Sequence, residues 1–189
     1  MDGIVQYPNK GLREKTISVT KVDEELAGLI DRLTVILAKS DLGAGLAATQ
    51  VGGRLRVLAV KGLKSRKVQI LINPMITKSF GAATFIKIQG EKDGEDFVEG
   101  CLSFPGFYGT VKRFLKIKAR WQEVGTSGDF VKRTKIFDGF EAVVLQHEID
   151  HLEGILFIDR VKKDNGKLFK QVGQEMVPWD IKVFDWKEP

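Results

Sequence analysis

Both histidines of this 189-residue chain lie four positions apart, in the segment QHEIDHLEG from residue 146 to 154. Side chains four apart lie one above the other on an α-helix, so this spacing favours a helix here. The longer segment FEAVVLQHEIDHLEG, residues 140–154, predicts that helix, and its final glycine predicts the end. On such a face His147 and His151 can reach one metal ion, and Glu148 can reach a water molecule on that metal.

A second stripe of the same helix is apolar. Leu145, Ile149 and Leu152 recur at helical spacing on a different face, which predicts packing against the core. The helix therefore has a chemical face and a packing face. The alternatives for the two histidines are a solvated surface pair and a hydrogen-bonded core pair, but two histidines rarely fall at this spacing with a glutamate beside the first.

Two histidines leave a catalytic metal site incomplete, because such a site uses three protein ligands and keeps one position open for water. Phe157 occupies the place of the third histidine found in one class of metalloprotease, and it cannot bind metal. Glu175 is the candidate if the chain follows a protease class that uses a downstream glutamate. Cys101, the only cysteine, excludes an internal disulfide and would bind as a thiolate. Both Glu175 and Cys101 stay open as the third ligand.

An N-terminal helix is predicted over residues 24–39. Asp23 suits its N-cap, and the apolar side chains recur at helical spacing. Several strands precede the histidine-bearing helix without regular alternation of strand and helix. We therefore expect an α+β fold of mostly antiparallel strands packed around that helix. The predicted core positions of the N-terminal helix are Leu26, Ile30, Leu33 and Leu37.

The strand predictions rest on β-branched and aromatic residues between turn-forming segments. In residues 114–122 the apolar side chains alternate with lysine and arginine, which predicts a half-buried strand. We treat residues 1–189 as a single catalytic domain and leave the tail, residues 161–189, unassigned. The predicted strands are 55–60, 68–74, 82–88, 114–122 and 130–137, and the predicted inward side chains of 114–122 are Leu115, Ile117, Ala119 and Trp121.

The net charge of +5 indicates either a solvated basic surface or attraction to a polyanion such as RNA. The sequence contains no nucleic-acid-binding motif, so we expect no specific nucleic acid partner. The apolar runs are too short to span a bilayer and the N-terminus shows no secretory signal, so we expect no membrane partner. These features favour a cytoplasmic protein, although a mature organellar form without its transit peptide would look the same.

Three segments in this order, GAGLAATQ (43–50), EGCLS (99–103) and QHEIDHLEG (146–154), resemble the motifs of peptide deformylase. That family removes the formyl group from the N-terminal methionine of newly synthesised polypeptides and releases formate. The resemblance covers about residues 5–160. It implies Cys101 as the third ligand, Fe²⁺ as the native metal with Zn²⁺, Ni²⁺ or Co²⁺ as substitutes, and N-formyl-methionyl nascent peptides as partners.

The resemblance also implies roles for individual residues. Glu148 would take a proton from water and return it to the leaving amine. The side-chain amide of Gln50 and the backbone N–H of Leu102 would donate to the oxyanion. Backbone groups of Gly45 and Gly100 would pair with an extended peptide. Phe97, Val143 and Val144 would line a pocket for the methionine side chain, with plain core packing as the alternative.

One departure from the family concerns substrate binding. Many relatives carry an arginine soon after the cysteine that helps to hold the substrate, whereas Tyr108 stands near that place here. The resemblance further suggests that Arg113 pairs with Asp150 of the histidine helix. A basic tail, with Lys162, Lys163, Lys167 and Lys170, raises ribosome docking as a further hypothesis.

Two other functions compete with a deformylase. One is a metallopeptidase that uses Glu175 in place of Cys101. The other is a non-catalytic module with a structural metal and a basic, RNA-facing surface. Glu148 argues against the second, because a structural metal site has no need of a base beside it.

Overall fold

The computed structural model describes residues 3–62, 65–87 and 96–184. Within these ranges the chain forms three α-helices: α1 (Glu24–Lys39), α2 (Phe140–Leu152) and α3 (Phe157–Lys163). Short 3₁₀ helices cover Lys10–Arg13, Ala48–Val51 and Ile181–Val183. The strands are β1 (Gly45–Ala47), β2 (Val57–Lys61), β3 (Val68–Phe80), β4 (Thr84–Phe85), β5 (Glu99–Gly100), β6 (Phe107–Gly109), β7 (Lys112–Arg113), β8 (Lys116–Val124), β9 (Phe130–Asp138), β10 (Leu168–Val172) and β11 (Glu175–Trp179).

The larger sheet has five strands in the order β1-β2-β3-β8-β9, and every neighbouring pair is antiparallel. Helices α1 and α2 both pack against this sheet. Apolar side chains from the two helices and the sheet meet in one core. This arrangement confirms the predicted α+β fold, with antiparallel strands around the histidine-bearing helix. Fully buried members of the core include Leu26, Leu33, Leu58, Ile72, Ile117 and Leu145.

Helix α1 begins and ends where the sequence predicts. The Asp23 side chain accepts a hydrogen bond from the Leu26 N–H at 3.0 Å, as expected of an N-cap. Leu29 is fully buried beside Leu26, whereas the predicted Ile30 is only partly buried at the edge of the same core. Both positions lie one turn from Leu26, so helical spacing alone could not separate them.

The observed strands differ from the predicted ones mainly in length. β3 continues six residues beyond the predicted end at 74, to Phe80. In the predicted strand 82–88, only Thr84 and Phe85 form a strand, and Ile88 lies outside the described residues. In the predicted strand 114–122, Leu115 is 44% exposed, because it lies in a bend between β7 and β8 rather than in the strand. The other three inward positions of that strand are buried, as predicted.

A second sheet, in the order β11-β10-β6-β5, contains the tail that the sequence left unassigned. The hairpin β10–β11 pairs with β6 through β10, so the tail extends the sheet that ends at β5. Phe104 lies beneath it, packing edge-on against Phe157 and Phe184 with ring centroids 5.3 and 5.7 Å apart. Among the described helices, none is both long and apolar enough to cross a membrane.

Gly154 supports a specific stability prediction. Its φ is +74°, and a Cβ there would overlap the backbone carbonyl of Arg13. Gly173 has a similar φ of +62° but open space around its Cβ position, which makes it the matched control. We expect Gly173→Ala to lower the free energy of unfolding by about 1–2 kcal/mol, the cost of left-handed backbone for a residue with a Cβ. Gly154→Ala should lower the free energy of unfolding by clearly more, because the overlap with Arg13 adds to that strain. Equal losses of unfolding free energy in chemical denaturation would contradict this prediction.

Candidate metal centre

Helix α2 carries both histidines and is held at two sides. Its buried Leu145 and Leu152 enter the core while Ile149 packs at the core's edge, which confirms the predicted packing face. To one side of that face, the Gln146 amide donates to the Phe114 carbonyl at 2.8 Å and accepts from the Phe114 N–H at 3.1 Å. These contacts fix the rotation of the helix and so the direction of its histidine face.

Cys101 follows β5 directly and meets the histidine face of α2. One ligand atom from each of Cys101, His147 and His151 lies within 4.8 Å of the other two. The Cys101 Sγ lies 3.3 Å from His151 Nε2. A tetrahedral ion with bonds of about 2.3 Å to sulfur and about 2.1 Å to nitrogen places those atoms about 3.6 Å apart, so the three side chains fit one metal ion. Glu175, the other candidate ligand, is an exposed residue of β11 and does not belong to this group.

A buried carboxylate orients the first histidine. The His147 Nδ1–H donates to Glu99 Oε2 at 2.9 Å, which leaves Nε2 free to bind a metal. Arg113 donates to both oxygens of Glu99, at 2.7 and 2.9 Å. Burial raises the pKa of Glu99, but the hydrogen bonds and charges of Arg113 and His147 outweigh it and lower that pKa to about 2. Glu99 therefore stays anionic while it holds the imidazole.

Arg113 also ties this strand region to the middle of α2. Its Nη1 donates to Asp150 Oδ2 at 2.6 Å, which confirms the predicted pair. Asp150 receives further hydrogen bonds from Arg160 of α3, at 3.1 and 2.5 Å. Sequence reasoning missed the parts played by Glu99 and Arg160. The sequence did offer one signal for Glu99, because it lies two residues before the candidate ligand Cys101. A carboxylate so close to a metal site often accepts a hydrogen bond from a ligand histidine.

The two histidines differ in their surroundings. Burial lowers the pKa of His151 well below its ordinary value, and the charges of His147 and Arg113 lower it further. Burial also lowers the pKa of His147, but the hydrogen bonds that His147 makes to Cys101 and Glu99 outweigh it and raise that pKa well above its ordinary value. The anionic neighbours thus favour positive charge beside His147, which is what a divalent cation would supply.

Glu148 is buried against the first glycine-rich segment. A Cβ on Gly45 would lie 2.5 Å from Glu148 Oε1, so the glycine is what allows this carboxylate to sit there. Burial raises the pKa of Glu148 to about 7. A carboxyl group with such a pKa can both accept and return a proton near neutral pH, and a nearby metal cation would lower that value.

Gln50 lies in the 3₁₀ helix that follows β1. Its Oε1 accepts from the Ala47 N–H at 2.9 Å, which turns the NH₂ group the other way. That NH₂ lies 3.2 Å from Ser103 Oγ and 3.5 Å from Cys101 Sγ. Leu102 is fixed next to Cys101, because its carbonyl accepts from Gln6 Nε2 at 3.0 Å. The structure therefore brings both predicted oxyanion donors to the cysteine.

A cleft of about 780 Å³ opens over these residues. Gly45 of β1 and Gly100 of β5 lie on its walls, and each of these strands is an edge strand of its sheet. The predicted pocket residues Phe97, Val143 and Val144 all line it. Several other lining residues escaped the sequence reasoning. Among them are Phe140, whose ring packs edge-on against Phe97 at 5.9 Å, and Gln171 of β10.

The sequence is similar to one family over most of its length. The family model described as Polypeptide deformylase matches residues 1–167. The curated peptide deformylase of Wolinella succinogenes is 38% identical over 176 residues, which cover 89% of this chain and 92% of that protein. That of Heliobacterium modesticaldum is 41% identical over 164 residues, covering 86% of this chain and 95% of the relative.

The fold is similar to solved structures of the same family. The peptide deformylase of Thermotoga maritima matches with a TM-score of 0.67 and 34% identity, covering 83% of this chain and 95% of that one. That of Plasmodium falciparum matches with a TM-score of 0.69 and 32% identity, covering 86% and 89% of the two chains. Sequence and fold thus point to the same group of proteins.

The buried position of Arg113 gives a testable energy. Arg113→Gln leaves the buried Glu99 without its arginine and removes one of the two arginines that pair with Asp150, so we expect a loss of about 3–5 kcal/mol in the free energy of unfolding. Arg133→Gln is the matched control, because Arg133 pairs with Glu123 at 2.9 Å while 52% of its side chain is exposed. The control should lose less than about 1 kcal/mol in urea denaturation. Losses of similar size in the two variants would show that the buried network is not important for stability.

Proposed function

Because the chain belongs to the polypeptide deformylase family, we propose that Cys101, His147 and His151 hold the catalytic metal ion of this enzyme. The enzyme is a hydrolase that removes the N-formyl group from the N-terminal methionine of newly synthesised polypeptides and releases formate. The observation that carries the site proposal is the convergence of three ligand atoms within 4.8 Å in the cleft that also contains Glu148. We further propose that the tail belongs to the same catalytic domain, because β10 pairs with β6.

The donor set fits a divalent metal in a catalytic site. One thiolate and two neutral imidazoles would leave a net charge near +1 on a divalent ion, and three protein ligands leave one position for water. A metal bound there would supply Lewis acidity and make a water molecule more acidic near neutral pH. We propose Fe²⁺ as that metal, with Zn²⁺, Ni²⁺ or Co²⁺ as substitutes. Imidazole and thiolate bind several of these ions, so the proposal for iron rests on family membership.

Glu148 is the proposed acid–base residue. Its carboxylate takes a proton from water as the new C–O bond forms at the formyl carbon. It then gives that proton to the amine nitrogen as the C–N bond breaks, so that formic acid and a free peptide amine leave and the carboxylate is restored. The acid loses its remaining proton to solvent and becomes formate. The support for this role is its burial beside His147, which raises the pKa of its carboxyl group.

Gln50 and Leu102 are the proposed oxyanion donors. The formyl oxygen gains negative charge in the tetrahedral intermediate, and donors that are already oriented stabilise that charge best. The Gln50 amide is oriented before substrate arrives, because the Ala47 N–H fixes its oxygen. The Leu102 N–H lies next to Cys101 in the chain and would reach the same oxygen.

The substrate's main chain is proposed to lie between two free strand edges. β1 and β5 each have one edge without a partner strand in the described sheets, and both border the cleft. An extended peptide could pair with Gly45 on one side and Gly100 on the other, as an added strand would. We propose that Phe97, Val143 and Val144 receive the methionine side chain, together with Phe140.

The proposals for location and ribosome docking rest on the relatives and on surface charge. A cytoplasmic location is proposed from the bacterial relatives and the substrate alone. Of the four tail lysines, Lys162, Lys163 and Lys167 are exposed. Lys170 instead stacks over the rings of Phe107 and Trp179, 5.7 and 4.5 Å from their centroids, which makes it less available to RNA. The proposal of ribosome docking through this tail therefore rests on its exposed lysines, such as Lys163 and Lys167.

The choice between the two third ligands can be tested directly. We expect Cys101→Ser, purified without oxygen, to bind metal about tenfold or more weakly than wild type, because a neutral hydroxyl replaces a thiolate. Glu175→Gln should bind metal as wild type does. Elemental analysis of both proteins measures the metal content and identifies the ion, which should be iron at about one equivalent in wild type. The reverse pattern between the variants would support the metallopeptidase with Glu175.

The acid–base assignment predicts a separate effect. Glu148→Gln should lower kcat for formate release from formyl-Met-Ala-Ser by about 10²–10⁴, the usual contribution of a positioned acid–base group, with metal content unchanged. Glu141→Gln is the matched control on the same helix, since Glu141 is partly exposed and pairs with Lys135. Its kcat should stay within about twofold of wild type. Glu148→Gln with a kcat near that of wild type would overturn the assignment.

A further inference from the structure

The cleft has an uneven distribution of charge. Although the chain contains 30 lysines and arginines, none is among the residues that line the cleft in the described part of the chain. Its lining carboxylates, Glu99 and Glu148, both lie at the metal end. The part of a substrate that extends beyond the metal end therefore meets a neutral wall.

Two polar side chains stand out on that wall, Tyr108 of β6 and Gln171 of β10. The Tyr108 hydroxyl donates to Gln171 Oε1 at 3.2 Å. The backbone holds the pair in place, because the Gln171 N–H donates to the Gly106 carbonyl at 2.8 Å. Gln171 is exposed, and its Nε2 donates one hydrogen to the Gly173 carbonyl at 3.3 Å. The second hydrogen of that NH₂ group can donate to a ligand.

The ring of Tyr108 and its hydroxyl have separable roles. Tyr108 is directly opposite Gly100 in the sheet, and a Cβ on Gly100 would lie 2.8 Å from Tyr108 Cε1. The ring thus covers a glycine in an edge strand, a packing role that phenylalanine would also fill. Packing does not explain the hydroxyl or its bond to Gln171, and both face the cleft.

We infer that Tyr108 and Gln171 bind the substrate's main chain beyond its N-formyl-methionyl residue and determine specificity there. The inference rests on the proposed function, because it takes the cleft as the peptide site. The Tyr108 oxygen retains lone pairs that can accept from a peptide N–H, and Gln171 Nε2 can donate to a peptide carbonyl. One acceptor and one donor match the single N–H and the single C=O of a peptide unit.

This pair gives the enzyme a neutral contact to the downstream peptide. Because no lysine or arginine of the described residues lines the wall, the cleft does not favour a nearby C-terminal carboxylate. The substrate class it suits is therefore a continuing chain rather than a short free peptide. Gln171 lies beyond residue 167, where the match to the family model ends. The tail hairpin therefore contributes to specificity as well as to the fold.

The test compares a one-residue substrate with a longer one, using the metal-loaded enzyme. The substrates are formyl-methioninamide and formyl-Met-Ala-Ser-amide, and the variants are Tyr108→Phe and Gln171→Ala. We expect KM for the longer substrate to rise about two- to tenfold in each variant, the loss of one hydrogen bond, with kcat unchanged. Both constants for formyl-methioninamide should stay within about twofold, since that substrate does not reach the pair. Val172→Ala, an exposed neighbour outside the cleft, should match wild type on both substrates.

A charge substitution tests the neutral character of the contact. Wild type should have the same KM for formyl-Met-Ala-Ser with a free carboxylate and with an amide end, whereas Tyr108→Arg should prefer the carboxylate, and added salt should remove that preference. A wild-type preference for the carboxylate would overturn the inference. The inference would also be overturned if Tyr108→Phe and Gln171→Ala matched wild type on both substrates. A parallel rise in KM for both substrates would overturn it too, because it would indicate a structural role. Failure of wild type to release formate from either substrate would instead contradict the proposed function.

Discussion

The site depends on one buried guanidinium. Arg113 is 3% exposed and binds Glu99 at the end of one sheet and Asp150 in the middle of α2. Without this cation Glu99 would lose its arginine partner in a buried position, and an unpaired buried charge costs several kcal/mol. By joining the strand before Cys101 to the helix of the histidines, Arg113 sets the distance between the sulfur and the imidazoles. Glu99 then passes that constraint on to His147 through its Nδ1–H.

The cleft combines a charged end with a neutral one. Buried ionisable groups gather around the three ligand residues, while the walls beyond are made of glycine backbone, apolar side chains and neutral polar groups. Glycines have a physical role at both walls, since Gly45 leaves room for Glu148 and Gly100 leaves room for the ring of Tyr108. A side chain at Gly45 would collide with Glu148, and one at Gly100 would collide with the Tyr108 ring.

Local patterns in the sequence predict what depends on local geometry. The four-residue spacing of His147 and His151 predicts their shared helical face, and alternation predicts most of β8. Contacts between distant segments leave weaker signals. The pairing of Glu99 with His147 joins residues 48 positions apart, and the hairpin of the tail becomes interpretable only when β10 pairs with β6. The prediction that Leu115 faces inward was wrong, because a bend interrupts the alternation there. No residue near that position indicates a bend.

The central claim is that one sulfur and two imidazole nitrogens bind a single metal ion. X-ray absorption spectroscopy of the anaerobically purified protein measures this directly, because sulfur and nitrogen scatter at different distances. The account predicts one sulfur at about 2.3 Å and two nitrogens at about 2.1 Å, with a further light atom from solvent in the open position. A spectrum without a sulfur neighbour, or with four protein ligands and no open position, would contradict it.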